Sequence, residues 1–243
     1  MSIQLKNLTL TYERHPAVHH VTATINQGEW LAIVGPNGAG KSTLMNAMAG
    51  LTKIDEGSIE GIHPDSVAYL PQQTQLDKSF PITVFELVVT GLWGKLGFSK
   101  SLDSSQYKQC SDALAAVGLQ GFEHRMIATL SGGQLQRSLF ARVLVQDQPV
   151  ILLDEPFNAI DAKTLSDLTQ VISQWHQNQR TIIMVTHDID YVQQHCPQTM
   201  LLARECIGYG LTKDVLTHTN LQRARQLSEA FDERAHACVQ GAA

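Results

Sequence analysis

Apolar and polar residues alternate along the first twelve positions, with Ile3, Leu5, Leu8, Leu10 and Tyr12 as the apolar set. The alternation slips phase at Lys6 and Asn7, which predicts two short strands or one bulged strand. EWLAIVG, ending at Gly35, is a nearly continuous apolar run, the mark of a buried strand, and it leads into a glycine-rich loop. KSTLMNAMAGL then has the apolar spacing of a helix closing at Gly50, and strand character returns in GSIEGI and SVAYLPQQ.

From Phe80 onward the pattern turns helical. In PITVFELVVTGLW, Thr83 precedes Glu86 by three residues, a capping-box pair at the head of an apolar helix. SSQYKQCSDALAAVGLQ predicts a second helix ending near Gly118. LSGGQLQRSLFARVLV predicts a third, with Ser131 as N-cap, Gln134 completing a capping box, and Leu135, Leu139 and Val143 as an apolar stripe. Residues from about 80 to 147 thus form a helical subdomain. PVILLDEP, RTIIMVTHD and QTMLLARE follow as strands, with TLSDLTQVISQWHQNQ as the helix between the first two; the tail after about Leu221 is helical or frayed. Strands of nearly continuous apolar residues alternating with helices define an α/β fold with a parallel sheet covered on both faces.

Composition narrows the function classes. A chain of 243 residues builds one large domain, or one domain carrying a subdomain. Its net charge of -5 supplies no global basic field for a phosphate backbone, so no nucleic-acid partner is expected. Cys110, Cys196, Cys206 and Cys238 form no CxxC pair and suggest neither a disulfide framework nor a zinc finger, but reduced cytoplasmic thiols. The N-terminus lacks the pattern of a signal peptide, and no stretch approaches the ~18 to 20 apolar residues that span a bilayer. Work at a membrane would therefore require another chain to cross it.

The candidate chemistry begins in GPNGAGKST, from Gly35 to Thr43, which fits GxxxxGK[ST] and lies between a predicted strand and a predicted helix. Backbone amides of Gly35, Pro36, Asn37, Gly38, Ala39 and Gly40 (Pro36 lending shape only, having no N–H), with Thr43 in the first helical turn, would wrap phosphates. Lys41 would reach the β- and γ-phosphates of a nucleotide and Ser42 would offer a hydroxyl to Mg²⁺. VILLDEP brings Asp154 and Glu155 to the carboxyl end of a strand, where α/β sheets bind ligands. Asp154 suits a Mg²⁺ site, and Glu155 is placed to orient and polarise an attacking water. Capping explains Ser131 and Gln134 but does not require Gly132 and Gly133, whereas paired glycines at a helix start let a phosphate approach the amides closely.

LSGGQ between these two motifs resembles the signature of ATP-binding cassette proteins, and the resemblance covers essentially the whole chain. It implies a P-loop ATPase fold with a mainly parallel sheet, an N-terminal antiparallel β-subdomain and a helical subdomain, in one cassette over residues 1–243. It also implies a paired cassette, or homodimer, in which Ser131, Gly132, Gly133 and Gln134 of one subunit cap the ATP held by the P-loop of the other. By the same resemblance Tyr12 matches the aromatic that stacks on adenine, and Gln72 the glutamine that contacts Mg²⁺ and water, with Gln73 as the alternative. His187 matches the histidine that contacts the γ-phosphate, and Asp161 the aspartate that communicates across the dimer. Asn158 and Ile160 depart from the family's usual serine-alanine-leucine-aspartate wording, which bears on the fine coupling between the two sites.

A single cassette without a membrane span is similar to the separate ATPase subunits of bacterial importers, and DEPFNAIDAKT, VTHDIDYV and PQTMLLARE to those of zinc, manganese and iron importers. The resemblance implies ATP and Mg²⁺ as cofactors, integral permease subunits, an extracytoplasmic substrate-binding protein, and a peripheral location on the cytoplasmic face of the inner membrane. A soluble cassette acting on ribosomes or DNA, and the ATPase half of an exporter, remain open. Val84, Phe85, Leu87, Val88, Leu92 and Trp93 exceed one narrow stripe, which suggests either a permease-docking surface or subdomain core. The histidines of RHPAVHH, with His236 and Cys238, match no closed zinc site and read as residues of a surface loop and tail.

Overall fold

A computed structural model of the chain describes residues 2–12, 15–72, 80–96, 101–158 and 160–232. It has two compact units, Met1–Val67 with Thr181–Ala243, and Ala68–Arg180. In chain order the first unit holds β1 (Ile3–Tyr12), β2 (His15–Ile25), β3 (Trp30–Val34), α1 (Lys41–Met48) and β4 (Glu56–Glu60). The second holds β5 (Val67–Leu70), α2 (Val84–Val89), α3 (Trp93–Leu96), α4 (Ser104–Ala116), α5 (Gly132–Gln146), β6 (Val150–Asp154) and α6 (Ala162–Gln177). The first resumes with β7 (Thr181–Val185), α7 (Ile189–His195), β8 (Gln198–Ala203), β9 (Glu205–Leu211), α8 (Thr212–Val215) and α9 (His218–Asp232).

In the first unit, β2, β1 and β4 form an antiparallel sheet in that order. The phase slip in the sequence is a bulge within a single strand: the β1–β2 register shifts between Leu5 and Leu8, and Leu5, Leu8 and Leu10 are all buried. Asn7 (φ 47°) and His20 (φ 51°) take left-handed backbone there. The Asn7 amide donates to Thr22 Oγ1 at 3.0 Å, and its side-chain oxygen lies 2.9 Å from His20 Nδ1. RHPAVHH is therefore not a surface loop, because His15, His19 and His20 belong to β2. The left-handed His20 interrupts the alternation between Val18 and Val21, both fully buried, and so hides the strand's period. Pro16 sits on β2, one of the two outer strands of this sheet, where a missing N–H is tolerated.

The other sheet of this unit runs β7-β3-β8-β9, parallel except for β9. β3 and β7 are buried at every residue, which puts the loops after their carboxyl ends at the edge of a rigid core.

The second unit is built on helices whose starts are capped by side chains: Thr83, Asp103, Ser131 and Asp161 each accept from a backbone amide of the helix they open. The capping boxes at Thr83–Glu86 and Ser131–Gln134 are both formed. The α2 turn and the 3-10 turn Thr90–Leu92 lie close on α5, where a Cβ on Gly91 would stand 2.5 Å from the Arg142 carbonyl oxygen. Val84, Leu87, Val88 and Leu92 are consequently core, since the chain changes direction at that turn and buries more than one stripe. Trp93 and, just before α2, Phe80 remain exposed, at 48% and 60%. Phe140 of α5 stacks on Trp175 of α6 with rings parallel at 6.0 Å.

Candidate functional site

The P-loop leaves the buried strand β3 at Gly35 and enters α1 at Lys41. Two of its glycines are imposed by close backbone approach: a Cβ would meet the Leu202 carbonyl oxygen at 1.9 Å from Gly35, and that of Ala17 at 2.0 Å from Gly40. Gly38, at φ 74°, faces open space. Pro36, Asn37 and Ala39 complete the loop, and Ser42 and Thr43 lie in the first turn of α1. Gly40 as N-cap supplies no side-chain cap, and the first turn carries no acid. The helix thus keeps its first amides, and its positive dipole end, for an anion. Lys41 is buried, and its ammonium donates back to the carbonyl oxygens of Gly35 (2.9 Å) and Pro36 (2.8 Å), closing the loop on itself. These features fit nucleotide phosphates.

His187, exposed just beyond the end of β7, precedes Asp188, which caps α7 by accepting from the Tyr191 amide at 2.9 Å. A cavity of about 180 Å³ gathers Gly35, Pro36, His187 and Ile189 with Leu221 and Arg225 of α9. P-loop and histidine are thus brought together within the first unit, with the C-terminal helix against them. Tyr12 is the last residue of β1, paired in register with His15; its side chain lies outside the described residues, as do Gln73, His236 and Cys238. Among the described residues no three His, Cys, Asp or Glu side chains gather as a metal site.

In the second unit β6 is fully buried and delivers Asp154, itself 2% exposed, to its carboxyl end. Burial first, and the charge of Asp154 second, hold the Tyr69 phenol well above its ordinary range. The Asp154 side chain at the carboxyl end of the strand offers oxygen atoms of the kind a hard divalent cation takes.

Glu155 follows with left-handed backbone, φ 48°, where the chain turns sharply off the strand. Its Oε2 accepts from the Gln72 amide at 3.2 Å and from the Asn158 amide at 2.8 Å. Gln72 and Glu155 are thus in contact. Asn158, noted in the sequence only as a departure in wording, is the third member, and its contact with Glu155 is what sequence reasoning missed. The available signal was an asparagine three residues after a strand-end glutamate, within reach of a local side-chain bond.

The signature and the segment after Glu155 are also joined in this unit. Ser131 caps α5, Gly132 and Gly133 are its first residues, and Gln134 returns its side-chain oxygen to the Ser131 amide at 3.1 Å. A Cβ on Gly133 would stand 3.6 Å from Asp161 Oδ2. Asp161 caps α6, accepting from the Thr164 amide at 2.9 Å and its hydroxyl at 2.8 Å, and these two bonds, the backbone one foremost, hold its carboxyl below the ordinary range. Arg137 binds Thr164 and Asp167, and buried Gln136 donates to the Pro156 carbonyl at 2.6 Å, one residue past Glu155. The helix that opens with the signature therefore grips the chain on both sides of Asn158.

A phosphate-binding loop, a strand-end Asp-Glu pair and a glycine-headed signature helix on these two units define a nucleotide-hydrolysing cassette. The family profile described as ABC transporter matches residues 18–158, and the chain belongs to that family; it is an ATP-binding cassette that hydrolyses ATP. Over 256 residues, covering 98% of this chain and 96% of the relative, it is 36% identical to the zinc transport system ATP-binding protein TroB of Treponema pallidum. It is 35% identical over 228 residues to the manganese transport system ATP-binding protein MntB of Listeria monocytogenes, with 91% and 95% covered. Among solved structures, a cassette seen as a dimer in a post-hydrolysis state with ADP and Pi shares 27% identity at TM-score 0.75, covering 86% of this chain and 98% of that one. An ABC transporter in an inward-facing conformation shares 27% at TM-score 0.83, covering 93% and 89%. No described helix is long and apolar enough to cross a membrane.

Proposed function

We propose that this chain is the ATPase subunit of an importer for a divalent transition metal, manganese or zinc, and that it works on a separate integral permease. The observation that carries the reading is likeness over nearly the whole chain to two proteins named for manganese and zinc transport. Lys41 and the backbone N–H groups between Gly35 and Thr43 other than Pro36 hold the phosphates, and His187 contacts the terminal one. Ser42, Gln72 and Asp154 hold Mg²⁺, which supplies charge neutralisation on the phosphate oxygens. Glu155 orients and polarises the attacking water, and Tyr12 stacks on the adenine. Ser131 to Gln134 and Asp161 serve the nucleotide of a second copy, a reading supported by the dimeric relative with ADP and Pi.

In this reading a phosphate-dependent closed dimer drives the permease, and loss of the γ-phosphate releases it. Phe80, Trp93 and Tyr107 offer exposed aromatic surface in the helical unit for the permease. The chain then sits on the cytoplasmic face of the cell membrane, and an extracytoplasmic binding protein delivers the metal.

The test combines affinity capture of tagged Glu155→Gln from gently solubilised native membranes with uptake of radiolabelled manganese and zinc. The expected result is a multi-span permease with its binding protein, and uptake that Glu155→Gln abolishes. Ribosomal or DNA-associated partners, or metal efflux in place of uptake, overturn the proposal. Glu155→Gln should bind ATP and accumulate as a dimer; hydrolysis at the wild-type rate would remove Glu155 from its role.

A further inference from the structure

We infer that Asn158 is the positioning residue that holds Glu155 in its working orientation, an inference that rests on the role proposed above for Glu155. Asn158 touches Glu155 twice. Its backbone N–H donates to the Glu155 carbonyl at 3.3 Å, and its side-chain amide donates to Oε2 at 2.8 Å. The first contact closes a turn that begins at Glu155, itself at φ 48°, a region that glutamate seldom occupies. The second fixes the carboxylate that this backbone projects.

Gln72 donates to the same oxygen from 3.2 Å, so two amides converge on Oε2. The two donors differ in what else they must do. Gln72 is also assigned to Mg²⁺, through its amide oxygen, so where its Nε2 can donate is tied to the metal. Asn158 lies within three residues of Glu155, on the segment that Gln136 anchors through Pro156, and has the shorter of the two bonds to the carboxylate. It therefore retains the carboxylate when Gln72 is engaged elsewhere. Asn158 reaches Oε2 with a donor; alanine lacks the donor, and aspartate, of the same shape, would present an oxygen to Oε2.

The experiment measures steady-state MgATP hydrolysis and melting temperature of the full-length chain, wild type and variants. Asn158→Ala should lower kcat about five- to tenfold, with KM for ATP within about twofold of wild type. Asn158→Asp should lose more than Asn158→Ala, because it sets like charge against Glu155. Since each amide partly covers for the other, Gln72→Ala with Asn158→Ala should lose more than the product of the single losses. If Asn158 were only a turn former, Asn158→Asp would keep both kcat and melting temperature, and that outcome overturns the inference. Wild-type kcat in Asn158→Ala overturns it as well, provided Glu155→Gln is inactive; full activity in Glu155→Gln refutes instead the role of Glu155 itself.

Discussion

Gln136 offers a measurable link between the signature helix and the strand-end pair. It is 2% exposed, and its amide donates to the Pro156 carbonyl oxygen at 2.6 Å. Gln136→Met keeps the length and nearly the volume of the side chain, so the cavity contribution is small and the change acts through the polar bonds of the amide. Removing the donor leaves a carbonyl oxygen of the turn without it, which costs about 1–3 kcal/mol. For a chain of this size each kcal/mol moves the melting temperature by about 2–4 °C, so the expected fall is roughly 2–12 °C. Pro156 follows Glu155 directly, so loosening it should also lower kcat more than it raises KM. Calorimetric melting and steady-state ATP hydrolysis measure both effects. A Gln136→Met chain that melts within about 1 °C of wild type and turns over ATP at the same rate would refute the reasoning, because the bond would then contribute nothing to either the turn or the site.

Two further perturbations test the packing of each unit. Gly91→Ala, whose Cβ would lie 2.5 Å from a backbone oxygen of α5, should destabilise by about 1–3 kcal/mol, read by urea denaturation; a neutral result would show that the helices can part there. Burial pushes the Cys196 thiol up to about 12 from an ordinary 9.0 and the Cys110 thiol up to about 11, so the folded state favours the protonated form of both. Their stabilising contribution is complete below about pH 9 and is lost as pH rises toward their folded values. At pH 8.5 both should resist iodoacetamide in the native protein and react after denaturation, a difference checked by peptide mass mapping; equal native and denatured rates would contradict their burial.

What the sequence disclosed was what is local. The P-loop is legible because its glycines, lysine and serine are contiguous and lie between a buried strand and a helix. The caps at Thr83 and Ser131 are legible because donor and acceptor are three residues apart. β2 was obscured because a left-handed His20 breaks the period, and β9 because Gly208 and Gly210 give it no apolar rhythm. The burial of Val84, Leu87, Val88 and Leu92 depends on the direction taken at the Thr90–Leu92 turn and on how closely α5 approaches Gly91, neither of which a periodicity contains. The Gln72–Glu155–Asn158 cluster joins residues 83 positions apart, so only its Asn158 half had any local trace.

The inward-turned lysine of the P-loop has a consequence for selectivity. Because Lys41 already donates to the carbonyl oxygens of Gly35 and Pro36, an arriving phosphate competes with the protein's own backbone for that charge. The net gain is the difference between two sets of bonds. A polyphosphate that engages the ammonium and several loop amides together can win that exchange, whereas an isolated small anion gains little by making it. On the role proposed for Lys41, the loop would discriminate by the number of simultaneous partners a ligand brings.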